Sequence, residues 1–281
     1  GMDLLKSLNA LPERANVALG VIDLGLSDDD RLAAGALCDR IEHLPGAGTN
    51  AGGGIPRAFL EARMAKHHLP DIFPEFGTLM WLDADIWVQS WSGISDCLSA
   101  AAEGALAIVP EEHPAYFNDI GSVAWRYNRF EALYGADTAK EMLARPHLNA
   151  GVFALARSAP HWRLWKQRFN DAVRHFAADS TLISDQIPLN HIIYGDGLPV
   201  ALQPATSNWL CQLATPVWDD NQKVYCTPSP PHTVISTLHL AGRTKDAITW
   251  RVPALDGGQL FTSFRYGDPP HAGHPAPRTQ D

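Results

Sequence analysis

Cysteine is scarce in this chain of 281 residues. Its four cysteines, Cys38, Cys97, Cys211 and Cys226, form no CxxC pair. That excludes a disulfide framework and disfavours a four-thiolate zinc site. Long apolar runs are also missing. None reaches the roughly 18 residues of a membrane-spanning helix, and the N-terminus has no signal-peptide pattern. The expectation is a soluble, cytoplasmic protein, with Gly1 read as a remnant of tag cleavage before Met2. Positive charge is in deficit: 22 Lys and Arg stand against 31 Asp and Glu, a formal net charge of −9. A general nucleic-acid surface is thereby disfavoured, although a local basic pocket is not. The glycine-rich stretch 45–56 does not match GxxxxGK[ST], so it is no phosphate-gripping loop of that kind. No internal repeat is present.

What the chain does have is apolar residues, 46% of the total, enough for a large core. Residues 2–11 read as a short helix and 16–24 as a buried strand. Ser27 and Asp30 form a capping box for a helix running to about Glu42. Ala58 to His68 reads as a helix whose end exposes His67 and His68. Short apolar runs at 79–82, 105–109, 148–155, 198–202 and 234–238 read as strands. Residues 119–134, 161–177 and 184–193 read as helices. In the second of these, Trp162, Trp165, Phe169, Val173 and Phe176 recur at helical spacing and form a packing face. Glu111-Glu112-His113 reads as a solvated loop, with the acceptor side of a cleft as the alternative. Trp209, Trp218 and Tyr225 read either as core or as a stacking surface for a ligand. Alternating strands and helices make the class α/β. The layout expected is one domain over 1–266 and a mobile tail over 267–281.

Asp83 and Asp85 are the most informative pair. They follow the apolar run Leu79–Leu82, so two carboxylates emerge at the end of a buried strand. Desolvating such a pair is costly unless a cation, donors or solvent receive it. Two hard oxygen donors suit Mg²⁺ or Mn²⁺, and a bound diphosphate could add further ligands. A solvated acidic turn is the alternative.

The stretch LMWLDADIWV resembles the strand and D-x-D motif of family 8 glycosyltransferases. Three further stretches agree in order and character: LNAGVFAL at 148–155, DQIPLN at 185–190 and HLAGRTK at 239–245. The resemblance spans roughly residues 17–250. It implies a GT-A-like, Rossmann-related fold with a central mixed β-sheet flanked by helices. It also implies retaining transfer of a hexose from a nucleotide sugar, probable donor UDP-hexose, to an acceptor hydroxyl. By the same resemblance Asp83, Asp85 and His239 are the metal ligands, with Mn²⁺ expected and Mg²⁺ as the alternative. Arg63, Ala84, Asn149, Ala150, Gly151, Gly242 and Lys245 match substrate-binding positions. Asp185 and Gln186 match the Asp-Gln pair beside the transferred sugar, with front-face attack assisted by the leaving phosphate as the preferred mechanism.

Two departures from the family are visible. The strand that normally opens its members, before the first helix, is absent from 1–26. After Lys245 the chain reads Asp246-Ala247-Ile248-Thr249-Trp250, which displaces the tryptophan expected beside the lysine. A noncatalytic nucleotide-sugar-binding protein and a nucleotide-sugar hydrolase or inverting transferase are the alternatives.

Overall fold

The computed structural model describes residues 1–44, 57–179, 182–242 and 249–272. The glycine-rich stretch 45–56 and Lys245 lie outside the described residues. The first half of the chain runs α1 (Met2–Asn9), β1 (Gly20–Asp23), α2 (Asp28–Gly35), β2 (Arg40–His43), α3 (Arg57–His67), α4 (Leu69–Ile72), β3 (Thr78–Leu82) and β4 (Ile86–Val88). It continues with α5 (Ser92–Ala102), β5 (Leu106–Pro110), α6 (Ile120–Tyr134), α7 (Ala136–Leu143), β6 (Leu148–Ala156), α8 (His161–His175) and α9 (Gln186–Tyr194). The remaining strands are β7 (Val200–Leu202), β8 (Trp209–Leu210), β9 (Val217–Asp219), β10 (Val224–Cys226), β11 (Thr237–His239), β12 (Trp250–Ala254) and β13 (Gly258–Thr262).

The central sheet has the order β3-β6-β5-β7. It is mixed: β6 is antiparallel to both β3 and β5, while β5 and β7 are parallel. Both faces are covered. On one, Leu148, Phe153 and Leu155 pack against Ala65 of α3, Trp162 and Trp165 of α8, and Leu189 of α9. On the other, Val152 and Ala154 pack against Ile94, Cys97 and Ala101 of α5 and Leu4 and Leu8 of α1. This is the α/β architecture expected, with helices on both sides of a mixed sheet.

The β6 register breaks near its start. Ile108 pairs with Phe153, but the next residue, Val109, pairs with Asn149. The extra residues of β6 bulge out of the ladder there, which re-aims the chain around Gly151. Asp83 then continues β3 by donating its N–H to the Gly151 carbonyl at 2.9 Å. A second sheet, β4-β11-β8, abuts this end of β3, and a third, β10-β9-β12-β13, encloses the aromatic core around Trp209, Trp218 and Tyr225. Those three aromatic residues are buried, so packing rather than sugar stacking accounts for them.

Several expectations differ from the structure. The helix begun at Ser27 ends at Gly35 instead of near Glu42, and Arg40–His43 is a strand parallel to β1. Asp39 explains the break: its carboxylate accepts the Leu19 N–H at 2.7 Å and pairs with Arg14 at 2.6 Å, drawing the chain alongside β1. The first strand is shorter than 16–24, because Pro12–Asn16 forms a 3-10 turn. His67 is buried against Phe169 and Trp165 and does not lie on an exposed helix end. Residues 267–272 fold back on β13: Asp268 accepts from the Ser263 N–H at 2.8 Å, and His271 bridges Phe261.

Among the described residues, β1 pairs only with β2 and β3 only with β6. A cavity of about 1470 Å³ lies between them, lined by α1, β1, α3, β3 and the Asp83–Asp85 turn. No described helix is long and apolar enough to cross a membrane.

Candidate metal centre

The acidic turn is built by the backbone. Ile86 N–H donates to the Asp83 carbonyl at 3.1 Å, closing a turn that places Asp83 and Asp85 between β3 and β4. Strand β11 then runs antiparallel to β4, with His239 opposite Ile86. Leu240 N–H donates to the Asp85 carbonyl at 2.9 Å. A residue from far along the chain is thereby fixed next to the turn.

Asp83, Asp85 and His239 converge. One ligand atom from each lies within 4.8 Å of the others. His239 Nε2 is 3.3 Å from Asp85 Oδ1 and 3.9 Å from Asp83 Oδ2. Two carboxylate oxygens and an imidazole nitrogen form a donor set able to coordinate a divalent cation. His239 is buried, whereas the two carboxylates are partly open to the cavity. A divalent cation could therefore be held from one side and still offer coordination positions toward the cavity.

Gly151 permits this approach. A Cβ there would stand 2.4 Å from His239 Cε1 and 2.8 Å from its Nδ1, closer than atoms tolerate. The requirement is for close packing of a ring against backbone.

Lys66 was passed over in the sequence. It projects from α3 and is buried. Its Nζ is 3.1 Å from Asp83 Oδ1, 2.9 Å from Asp185 Oδ2 and 3.0 Å from the Ala150 carbonyl oxygen. Burial pulls its pKa down, but the carboxylates of Asp185 and Asp83 outweigh that and raise it above the usual lysine value. Lys66 thus stays charged and ties the acidic turn to the start of α9. Arg63, one turn earlier on α3, lines the cavity and donates to the Ile183 carbonyl. The spacing Arg63–Lys66 puts both on one helix face, which is the signal that could have drawn attention to Lys66.

The remaining residues divide by position. Asp185 occupies the N-cap of α9, yet its side chain makes no capping bond and turns to Lys66. Gln186 Oε1 accepts the Ala150 N–H at 3.0 Å, so the Asp185-Gln186 pair and the β6 bulge are joined. Ala84, Asn149, Gly151, Asp185, Gln186 and Gly242 line the same cavity as Asp83 and Asp85. Gly242 has φ +59°, and a Cβ on it would meet Gln212 Oε1 at 2.1 Å. Glu111 also lines the cavity, so its loop reaches the cleft.

No protein-family model matches the chain, and no curated protein sequence matches it. Solved structures do. The galactosyltransferase LgtC in complex with donor and acceptor sugar analogues is matched at a TM-score of 0.51 and 17% identity, over 86% of this chain and 83% of that one. An active-site mutant of LgtC is matched at a TM-score of 0.50 and 16% identity, over 86% of this chain and 82% of that one. At such identities the likeness establishes the fold. The chain has a GT-A-like architecture, and a cluster able to coordinate a divalent cation stands at its cavity.

Proposed function

We propose that this chain is a metal-dependent, retaining glycosyltransferase of the family 8 type, moving a hexose from a UDP-sugar to an acceptor hydroxyl. The observation that carries the reading is the convergence of Asp83, Asp85 and His239 at the edge of a cavity that also holds Asp185 and Gln186. The fold and the motif order in the sequence support it.

Asp83, Asp85 and His239 would hold Mn²⁺. When bound, the cation supplies Lewis-acid stabilisation of the charge left on the nucleoside diphosphate. Lys66 sets the orientation of Asp83 and Asp185 together, so donor sugar and diphosphate are gripped by one connected unit. Gln186 fixes the β6 bulge through Ala150, which is itself buried in the core, and Asn149 and Gly151 form the wall beside the sugar. Ala84 lies toward the ribose, and Arg63, Gly242 and Lys245 complete the donor contacts. In the transfer, the bond from the anomeric carbon to the phosphate oxygen breaks. A bond from that carbon to the acceptor oxygen forms on the same face, and the acceptor proton passes to the departing phosphate. Asp185, paired with Lys66, orients sugar hydroxyls without acting as a covalent nucleophile.

The test is a panel of nucleotide sugars assayed for product with Mn²⁺. We expect turnover with a UDP-hexose and a loss of about 100-fold or more in Asp83→Ala and Asp85→Ala. Turnover unchanged in both variants would refute the proposal, as would failure of every donor to bind.

A further inference from the structure

A metal-binding imidazole must present a bare nitrogen to the cation, so something must hold its proton on the other nitrogen. In this chain the identity of that holder follows from a line of hydrogen bonds leading away from His239. His239 Nδ1 is 2.8 Å from Asn208 Oδ1. Asn208 Nδ2 donates to Asn149 Oδ1 at 2.9 Å. Asn149 Nδ2 donates to Glu111 Oε1 at 2.8 Å, and the Gly151 N–H donates to Asn149 Oδ1 at 2.9 Å.

The ends of this line fix the direction of every bond within it. An amide side chain can be turned over so that its oxygen and nitrogen exchange places, and only its partners decide between the two. Asn149 has a partner that cannot reverse. The Gly151 backbone N–H can only donate. The oxygen of Asn149 must therefore face Gly151 and its nitrogen Glu111. That oxygen is then what Asn208 meets, so Asn208 must turn its nitrogen to Asn149 and its oxygen to His239. An oxygen facing Nδ1 requires a proton on Nδ1. In the neutral ring the lone pair is then on Nε2, 3.3 Å from Asp85 and 3.9 Å from Asp83.

We infer that Asn208 is the positioning residue of this centre: oriented by Asn149, it locks His239 as the Nδ1–H tautomer and so aims the Nε2 lone pair between the two aspartates. This rests on the reading of Asp83, Asp85 and His239 as a cation cradle. Burial strengthens the case. Asn208 is 1% exposed and His239 3%, so water does not substitute for a missing partner. Asn208 acts on the centre through the ring.

Two measurements test it. The first is ¹⁵N NMR of histidine-labelled protein without metal, with the His239 signals identified by their loss in His239→Gln. Wherever the ring is neutral, the wild-type protein should show a protonated Nδ1 and a bare Nε2. Asn208→Leu, close in volume and unable to accept, should lose that single tautomer. The second is Mn²⁺ titration of the free protein. Asn208→Leu should weaken Mn²⁺ by roughly 10- to 100-fold, the usual effect of removing a residue that orients a metal ligand. Asn208→Asp keeps an acceptor opposite Nδ1 but sets a second oxygen against Asn149 Oδ1, so it should keep the tautomer and recover only part of the affinity. A neutral ring protonated on Nε2 instead of Nδ1 in the wild type overturns the inference. So does an Asn208→Leu protein, folded by its melting transition, whose tautomer and Mn²⁺ affinity match the wild type. If no Mn²⁺ binds but the tautomer behaves as stated, the role of Asn208 stands and the proposed function falls.

Discussion

A lysine ammonium withdrawn from water is tolerated only where other oxygens replace the water it loses. Lys66 has three of them, from Asp83, Asp185 and Ala150. The dependence runs both ways, because Asp185 is itself buried and relies on Lys66 for its countercharge. Lys66→Met should therefore cost on the order of 3 kcal/mol in urea unfolding, since it would leave Asp185 buried without this countercharge and Asp83 without its ammonium partner, though still bonded to the Trp81 N–H. Lys66→Arg should lose less. A Lys66→Met protein as stable as the wild type would show that the pairing carries no stability. Its neighbour His67 makes the opposite case. Both ring nitrogens are buried without a hydrogen-bond partner, and the pKa is pushed down to about 3, mainly by burial and then by the charges of His68 and Lys166. The unfolded chain takes up this proton below about pH 6.5, while the folded one resists until about pH 3. Over that window the unfolded state binds more protons, so stability falls as pH falls, by up to about 1.4 kcal/mol per pH unit from this group. His67→Leu should flatten the pH dependence of stability between those limits and leave stability at pH 7 undiminished. An unaltered slope would contradict the assignment.

At the scale of elements, the β6 bulge is where fold and site meet. It holds Asp83 through the Gly151 carbonyl, takes the Gln186 side chain at Ala150 and admits the His239 ring beside Gly151. Gly151→Ala should leave the sheet intact, because the surrounding ladder is unchanged on either side, but should displace the ring. We expect Mn²⁺ affinity in a direct titration to fall by roughly tenfold or more, with a cooperative thermal transition retained. Wild-type affinity in this variant would show that the ring has room to spare. Part of this is legible in the sequence: LNAGVFAL reads as a strand and Asp83 with Asp85 as a pair, while His239 joins them only through the family resemblance. The bulge within β6 was not legible, since it depends on a register with β5 that no local pattern encodes. Lys66 was hidden for a similar reason. Its sequence neighbours, Ala65 and His67, give no sign that two distant carboxylates will surround it. Asp39 misled in another way. Residues 28–42 hold enough helix formers to continue α2, and only the tertiary pull of Leu19 and Arg14 on that carboxylate ends the helix early. Asn208 lies between a 3-10 turn and β8 and carries no periodic signal; its meaning comes entirely from His239 and Asn149.

At the scale of the whole molecule, the cavity joins parts of the chain that are otherwise separately packed. Its walls come from α1 and β1, from α3 and β3, from the start of α9, and from residues just beyond β11. The core follows the same division: one cluster lies between the central sheet and α3, α8 and α9, one between that sheet and α1 and α5, and one within the aromatic sheets. A ligand filling the cavity touches elements from each part and binds the folded state alone. By mass action, UDP at 100 times its Kd in the presence of Mn²⁺ would stabilise the fold by about 2.7 kcal/mol. For a chain of this size that corresponds to a rise in Tm of at least several degrees. Under the proposed function both components are required, because the carboxylates repel a diphosphate unless a cation stands between them. UDP with a chelator should therefore give little shift, Mn²⁺ alone a small one, and the two together the full rise. Asp83→Ala and Asp85→Ala should abolish the joint effect while melting cooperatively on their own. Equal shifts with and without Mn²⁺ would mean that the nucleotide is held elsewhere in the cavity, away from the Asp83–Asp85–His239 edge.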